Sequence, residues 1–250
     1  MTEKTYHEVV YGNYKKSNYP EQLAIYLERK CFSKCWSYID SLSNPFDLAP
    51  ITLLDLGCGD KTYVNEFNKL GFKTVGIDSS TATVSGRHMV DDVMDYYKRP
   101  FDFNKDKLPY KNNSFDIVFT KSVIEHIGNT EYFLKEAYRV LKEDGILVVL
   151  TPAWEFNYRW FYDDPTHVKP FHRKGLQDAL KMSGFDVDVE YLYHLPFFWK
   201  YPKLKFLASL VRLLPDDWRW KDFEQQHMNV GIRFCKEVQL LAIAYKGKNK

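Results

Sequence analysis

The sequence is short of the features that assign a chain quickly. Its 250 residues hold only four cysteines, Cys31, Cys35, Cys58 and Cys235. One pair has helical spacing, but no second pair and no nearby histidine completes a zinc-finger pattern, so a cysteine metal centre is not expected. No stretch reaches the ~18 apolar residues of a membrane span. The opening MTEKTYHEVV lacks the charged-then-apolar order of a signal peptide, and a reducing cytoplasm is the expected compartment. The formal charge is +2 with no long basic run, so no global field draws the chain to a polyanion, and a nucleic-acid partner is not expected. Internal repeats and low-complexity blocks are also missing, which disfavours solenoid and linker architectures.

What is present is core-forming material. With 45% hydrophobic and 17% aromatic residues, the chain can bury one large core, and one domain with appended segments is expected. Residues 1–50 are rich in Tyr and Lys, and Leu23, Tyr26, Leu27, Cys31, Cys35 and Tyr38 recur near helical spacing. This predicts a helical preface whose Tyr6, Tyr11, Tyr14 and Tyr19 form a lid. From Ile51 short apolar runs alternate with helix-like stretches: ITLLDLG, KTVGID, FDIVFT, ILVVLT, VDVEYLYHL and VQLLAIAYK. That alternation predicts an α/β fold, a mostly parallel sheet with helices on both faces. TYVNEFNKLG ends at a glycine cap, EYFLKEAYRVLKEDG carries Phe133, Leu134, Ala137, Val140 and Leu141 on one side, and a third helix stops at Gly184.

Before the last strand, residues 195–234 are too long for an ordinary loop and predict an insertion with its own helix. Phe206, Leu207, Leu210, Val211 and Leu214 form an apolar stripe there, and Lys200, Lys203, Lys205 and Arg212 add positive charge. The stripe packs over the substrate mouth, or the segment 200–214 meets anionic lipid as an interfacial helix.

The stretch LLDLGCGDK is a strand running into a turn with Gly57 and Gly59. In an open α/β sheet, ligands bind beyond the carboxyl ends of the strands. Asp78 closes the next strand at the distance from which an acid accepts hydrogen bonds from a ribose, so an adenosine-containing ligand is expected. A dinucleotide fits less well. The third glycine is replaced, with Lys61 in its place, and the Asp60 carboxylate would oppose a pyrophosphate.

These motifs, with KLPYKNNSFDIVFTKSVIEHI and LKEAYRVLKEDGILVVLTP after them, resemble the class I S-adenosylmethionine-dependent methyltransferases over roughly residues 50–190. The resemblance implies a Rossmann-like seven-stranded sheet with a final antiparallel strand, and S-adenosylmethionine as cofactor. It implies that Asp55 and the backbone of Gly57, Cys58 and Gly59 hold the methionine part, with Cys58 a small corner residue, and that Asp78 with Ser79 meets the ribose. Asp102 falls near the acid that accepts from the adenine amino group, with Phe103 against the ring and Asp91, Asp92 and Asp106 as competitors. Lys121 and Ser122 would line the methionine end through backbone atoms.

The segment FYDDPTHVKPFHRKGLQDALKMSGF resembles the stretch after the fifth strand in family members acting on small molecules and glycans. A histidine can take a proton near neutral pH, as activating a hydroxyl or amine acceptor requires, and His167 ranks first as general base, with His126 second. Asp163, Asp164, His167 and His172 follow no standard ligand spacing, so no metal is expected. The expected activity is methyl transfer to an O or N acceptor of a small polar molecule, a sugar, glycan precursor or related metabolite. The alternatives are a nucleic-acid or protein methyltransferase and a catalytically silent cofactor-binding partner subunit.

Overall fold

The computed structural model describes residues 18–32, 51–79, 101–222, 227–228 and 230–247. Its centre is a sheet in the order β2-β1-β3-β4-β8-β5. The strands are β1 (Thr52–Leu56), β2 (Lys73–Ile77), β3 (Phe115–Lys121), β4 (Leu141–Pro152), β5 (Asp186–Tyr193) and β8 (Val238–Tyr245). Strands β1 to β4 pair in parallel, and β8 runs antiparallel between β4 and β5.

The central sheet therefore has six strands among the described residues, where the resemblance implied seven. All six coincide with apolar runs visible in the sequence. The seventh came from the resemblance alone, and residues 80–100, with Asp91 and Asp92, lie outside the described residues.

Side chains alternate to opposite faces along each strand, and the central strands are apolar on both. Leu54, Leu56, Val118, Leu147, Val149, Leu240 and Ala242 belong to one core cluster. Leu53, Ile117, Phe119, Ile146, Val148, Leu150, Leu241 and Ile243 belong to the other. Helices cover both faces. Thr130–Val140 buries Phe133, Leu134, Ala137 and Val140, and Arg173–Met182 buries Leu176 and Leu180. Both pack into the first cluster. The helix Thr62–Lys69 contributes Phe67 to the second.

The described part of the preface is a helix, Tyr19–Leu27, followed by a π-helical turn, Glu28–Phe32. It buries Tyr19, Leu23, Ala24, Leu27, Cys31 and Phe32 in the second cluster. Tyr19, expected as a lid residue, is a core ring against His194, Trp199 and Phe234. Tyr6, Tyr11, Tyr14, Cys35 and Tyr38 lie outside the described residues.

The insertion contains helices Phe197–Lys200 and Lys205–Val211, a short strand pair, β6 (Trp220–Asp222) with β7 (His227–Met228), and a helix, Val230–Lys236. Of the apolar stripe expected on the helix Lys205–Val211, Val211 packs against the first cluster, whereas Phe206, Leu207 and Leu210 do not. Ala208 is buried and Arg212 stacks on Phe156 and Tyr193, so this cation faces inward. Phe206, Leu207, Leu210 and Leu213 are exposed at 57%, 39%, 57% and 82%.

Candidate active site

Parallel strands bring the ends of β1, β2, β3 and β4 to one edge of the sheet. After β1 the chain turns sharply at Gly57, whose φ is +83° and whose amide donates to Ile77 O at 2.7 Å. A Cβ at Gly57 would lie 2.1 Å from Val123 Cγ2. This glycine is demanded by a side chain of the β3 loop as well as by its backbone angle. Gly59, at φ +50°, has nothing within 4 Å of its Cβ direction. It borders open space that a ligand can enter.

Lys61 sits at φ 63° at the start of the helix Thr62–Lys69. The third position of the motif therefore keeps the left-handed backbone of a glycine, at a cost of about 1–2 kcal/mol for a residue with a side chain. Cys58 packs against Gly76, where a Cβ would meet Cys58 Sγ at 2.6 Å. Burial, with the carboxylates of Asp55 and Asp78, pushes the Cys58 thiol well up, which fits a corner residue and not a reactive thiolate.

Asp55, next to last in β1, is 2% exposed, and its Oδ2 has no hydrogen-bond partner. Burial, then the neighbouring Asp78, pushes its carboxyl well up. A buried acceptor left open beside an open glycine turn is suited to a polar ligand that completes it. Asp78 Oδ2 accepts from Gly59 N at 2.7 Å, so this acid braces the turn. Ser79 beside it is exposed.

Asp102 Oδ1 accepts from Asn104 N and Nδ2, and Lys105 lies 3.2 Å from Oδ2. Hydrogen bonds from Asn104 hold Asp102 below the usual carboxylate range. Asp106 Oδ2 accepts from Asp102 N, so this competitor braces the same turn. Phe103 is 6% exposed, edge-on to Phe101 and Phe133. It is a core ring, and the stacking expected of it has little exposed surface to use.

At the end of β3, Ser122 adopts φ 56° and its amide donates to Leu150 O at 2.8 Å. Its N–H is therefore spent within the sheet. Burial pulls the Lys121 amine down to about 8, against the charges of Glu125 and Asp55. The turn Ile124–His126 follows. Glu125 is 1% exposed; its Oε2 accepts from Thr151 Oγ1 at 2.8 Å and its Oε1 has no partner. Burial pushes this carboxyl up to about 7.

The segment after β4 docks onto that turn, with Val168 N and Lys169 N donating to Glu125 O at 2.9 and 3.0 Å. The His126 and His167 rings are thereby brought to 4.7 Å, centroid to centroid. His167 Nδ1 lies 2.5 Å from Phe161 O, a carbonyl that can only accept. His126 Nδ1 lies 3.2 Å from Thr166 O and 2.9 Å from Thr166 Oγ1, whose own proton goes to Asp164 Oδ1 at 2.5 Å. Both Nδ1 atoms therefore carry the proton, and both Nε2 atoms keep a lone pair. Burial, then His167, holds His126 below its ordinary value. Burial opposes but hydrogen bonds from Thr166 outweigh it at Asp164, which is held low.

Of the four residues weighed as a metal set, His172 pairs with Glu155 at 3.2 Å and Asp163 is exposed. Only Asp164, 3.9 Å from His167 Nε2, stays with the histidine. Sequence reasoning passed over Glu125, Thr166, Val123 and Gly76. Glu125 and Thr166 adjoin the two chosen histidines, but nothing in the chain says that these neighbours converge.

The family described as a methyltransferase domain matches residues 26–190, and the chain belongs to it. The fold and glycine turn are those of class I S-adenosylmethionine-dependent methyltransferases, whose cofactor is S-adenosylmethionine. A ubiquinone biosynthesis O-methyltransferase of Pelagibacter ubique is 29% identical over 113 residues, 42% of this chain and 43% of that protein. The chain thus spans under half the length of that relative. Norajmaline N-methyltransferase of Rauvolfia serpentina is 28% identical over 212 residues, covering 79% of this chain and 70% of that protein. A solved SAM-dependent methyltransferase from Archaeoglobus fulgidus shares the fold at TM-score 0.57 and 22% identity, covering 97% of this chain and 100% of that one. Among the described residues, no helix is long and apolar enough to cross a membrane.

Proposed function

We propose that this methyltransferase acts on a hydroxyl oxygen of a small polar acceptor, a sugar, glycan precursor or related metabolite. The observation that carries this reading is the facing pair His126 and His167, each with its Nε2 lone pair free of the proton, beside the strand end that carries Lys121 and Ser122. An oxygen acceptor must lose a proton as it is methylated, and His167 is the group to take it, with His126 behind it. An amine acceptor, as the name of one relative suggests, needs that step less.

Asp55 and the Gly57, Cys58 and Gly59 backbone hold the methionine part of the cofactor, with Lys121 and Ser122 flanking it. Asp78 and Ser79 meet the ribose, and Asp102 the adenine end. When bound, S-adenosylmethionine supplies a methyl already activated on sulfur, so the chain's work is alignment, exclusion of water and proton removal.

We propose further that the insertion meets an anionic lipid surface, where a lipid-linked glycan precursor would reach the site. Phe206, Leu207, Leu210 and Leu213 turn outward together, with the exposed Lys200 and Lys203 nearby in the chain, which suits apolar insertion flanked by attraction to lipid phosphate. Arg159 bonds Asp216 at 2.5 Å, so the insertion is tied to the segment that leads to His167. Leu210→Asp should weaken sedimentation with phosphatidylglycerol vesicles at least tenfold and leave cofactor binding alone. Equal sedimentation of mutant and wild type refutes the surface. For the activity, labelled S-adenosylmethionine is offered with nucleotide sugars, lipid-linked glycans, phenols and amines. Label on a hydroxyl is expected; label on amines alone overturns the oxygen reading.

A further inference from the structure

The geometry points to a divalent transition-metal site formed by Glu125, His126 and His167. One ligand atom from each lies within 4.8 Å of the others. Because both Nδ1 atoms are spent on Thr166 and Phe161, the imidazole atoms left for a cation are the two Nε2 lone pairs. Metal-binding histidines have this arrangement, with the far N–H donating to a carbonyl or another acceptor that fixes the tautomer.

The second, independent observation is the carboxylate. Glu125 is 1% exposed, one oxygen accepts from Thr151, and the other is buried with no partner. An open buried carboxylate oxygen is costly unless something completes it. A cation bound by Glu125 and the two imidazoles does so.

Two imidazoles and one carboxylate suit Mn²⁺, Fe²⁺, Co²⁺ or Zn²⁺ better than Mg²⁺ or Ca²⁺, which take oxygen ligands. Three ligands leave coordination positions open. Asp164, 3.9 Å from His167 Nε2, adds negative charge without being required as a ligand. The role of the ion rests on the methyl-transfer reading; its binding does not. A hydroxyl that coordinates the ion loses its O–H proton more readily, the proton passing to water and the electron pair staying on oxygen. The two histidines then serve as ligands, and the ion takes over the activation assigned to His167 in the ion-free site.

The test uses the full chain stripped with EDTA and titrated with Co²⁺, read by visible absorption, and with Mn²⁺ and Zn²⁺ by calorimetry. One equivalent should bind, with cobalt bands that show nitrogen ligands. Glu125→Gln, His126→Ala and His167→Ala should each weaken binding at least tenfold. Thr166→Val, which removes the hydroxyl that bonds His126 Nδ1 and Asp164 Oδ1 and keeps the backbone carbonyl, should weaken it by about 10- to 100-fold. Circular dichroism and S-adenosylmethionine affinity, measured on every variant, separate lost ligands from lost fold. Wild type that binds none of the three ions at 100 µM, or binding unchanged in folded His126→Ala and His167→Ala, overturns the site. Cofactor binding with no metal binding leaves the methyltransferase reading intact; metal binding with no cofactor binding refutes that reading and keeps the site.

Discussion

His126 and His167 face each other at 4.7 Å, centroid to centroid, although one follows β3 and the other follows β4. The contact exists because Val168 and Lys169 bond the backbone of Glu125. His167→Ala should lower the single-turnover methylation rate by roughly 10²- to 10⁴-fold and leave S-adenosylmethionine affinity nearly intact. If the histidine only pinned its loop, acceptor KM would rise or Tm would fall with kcat kept, so rates at saturating acceptor separate the two roles.

Gly57→Val should abolish cofactor binding and destabilise the chain, because its Cβ would fall 2.1 Å from Val123 Cγ2 at a φ of +83°. Lys61→Gly should bind the cofactor as wild type does and gain about 1 kcal/mol of stability, since φ 63° costs glycine little. Chemical denaturation and calorimetry on both variants check this. A Lys61 variant more damaged than the Gly57 variant contradicts the account of the turn.

Asp78→Ala should weaken cofactor binding by about 1–3 kcal/mol, through loss of the proposed ribose contact and of the brace on Gly59 N. Asp78→Asn keeps a carbonyl acceptor for that amide and should lose less. Unchanged calorimetric affinity in a folded Asp78→Ala protein would remove this acid from the site.

His194 is a switch for acid stability and not for catalysis. It stacks between Tyr19 and Phe234, and burial, then Lys121 and Arg233, pulls its imidazole from 6.5 to about 3. Between those values the unfolded chain binds the proton and the folded chain does not, so stability falls as pH drops from about 6.5 toward 3. From pH 7 to 4.5 this one residue should cost wild type about 2–3 kcal/mol. His194→Phe keeps the stack and should lose less stability over that range in urea melts; identical pH slopes would show that folding leaves the proton affinity of His194 unchanged.

The six strands, the caps at Gly71 and Gly184 and the buried face of Thr130–Val140 were legible in the chain because they depend on neighbours in sequence: apolar runs, helical spacing and glycine turns act over a few residues. The glycine turn with Asp55 and Asp78 was legible for the same reason, as it joins two successive strand ends. Tertiary packing decided the rest. It set Val123 over Gly57, turned Arg212 inward and Leu210 outward, and put Tyr19 in the core. It also closed Glu125, His126 and His167 into one cluster, because β3 and β4 are adjacent in the sheet and their following loops must meet at its carboxyl edge. Sequence spacing carries no record of that meeting, since the helix and strand between the two loops can change length without moving either end.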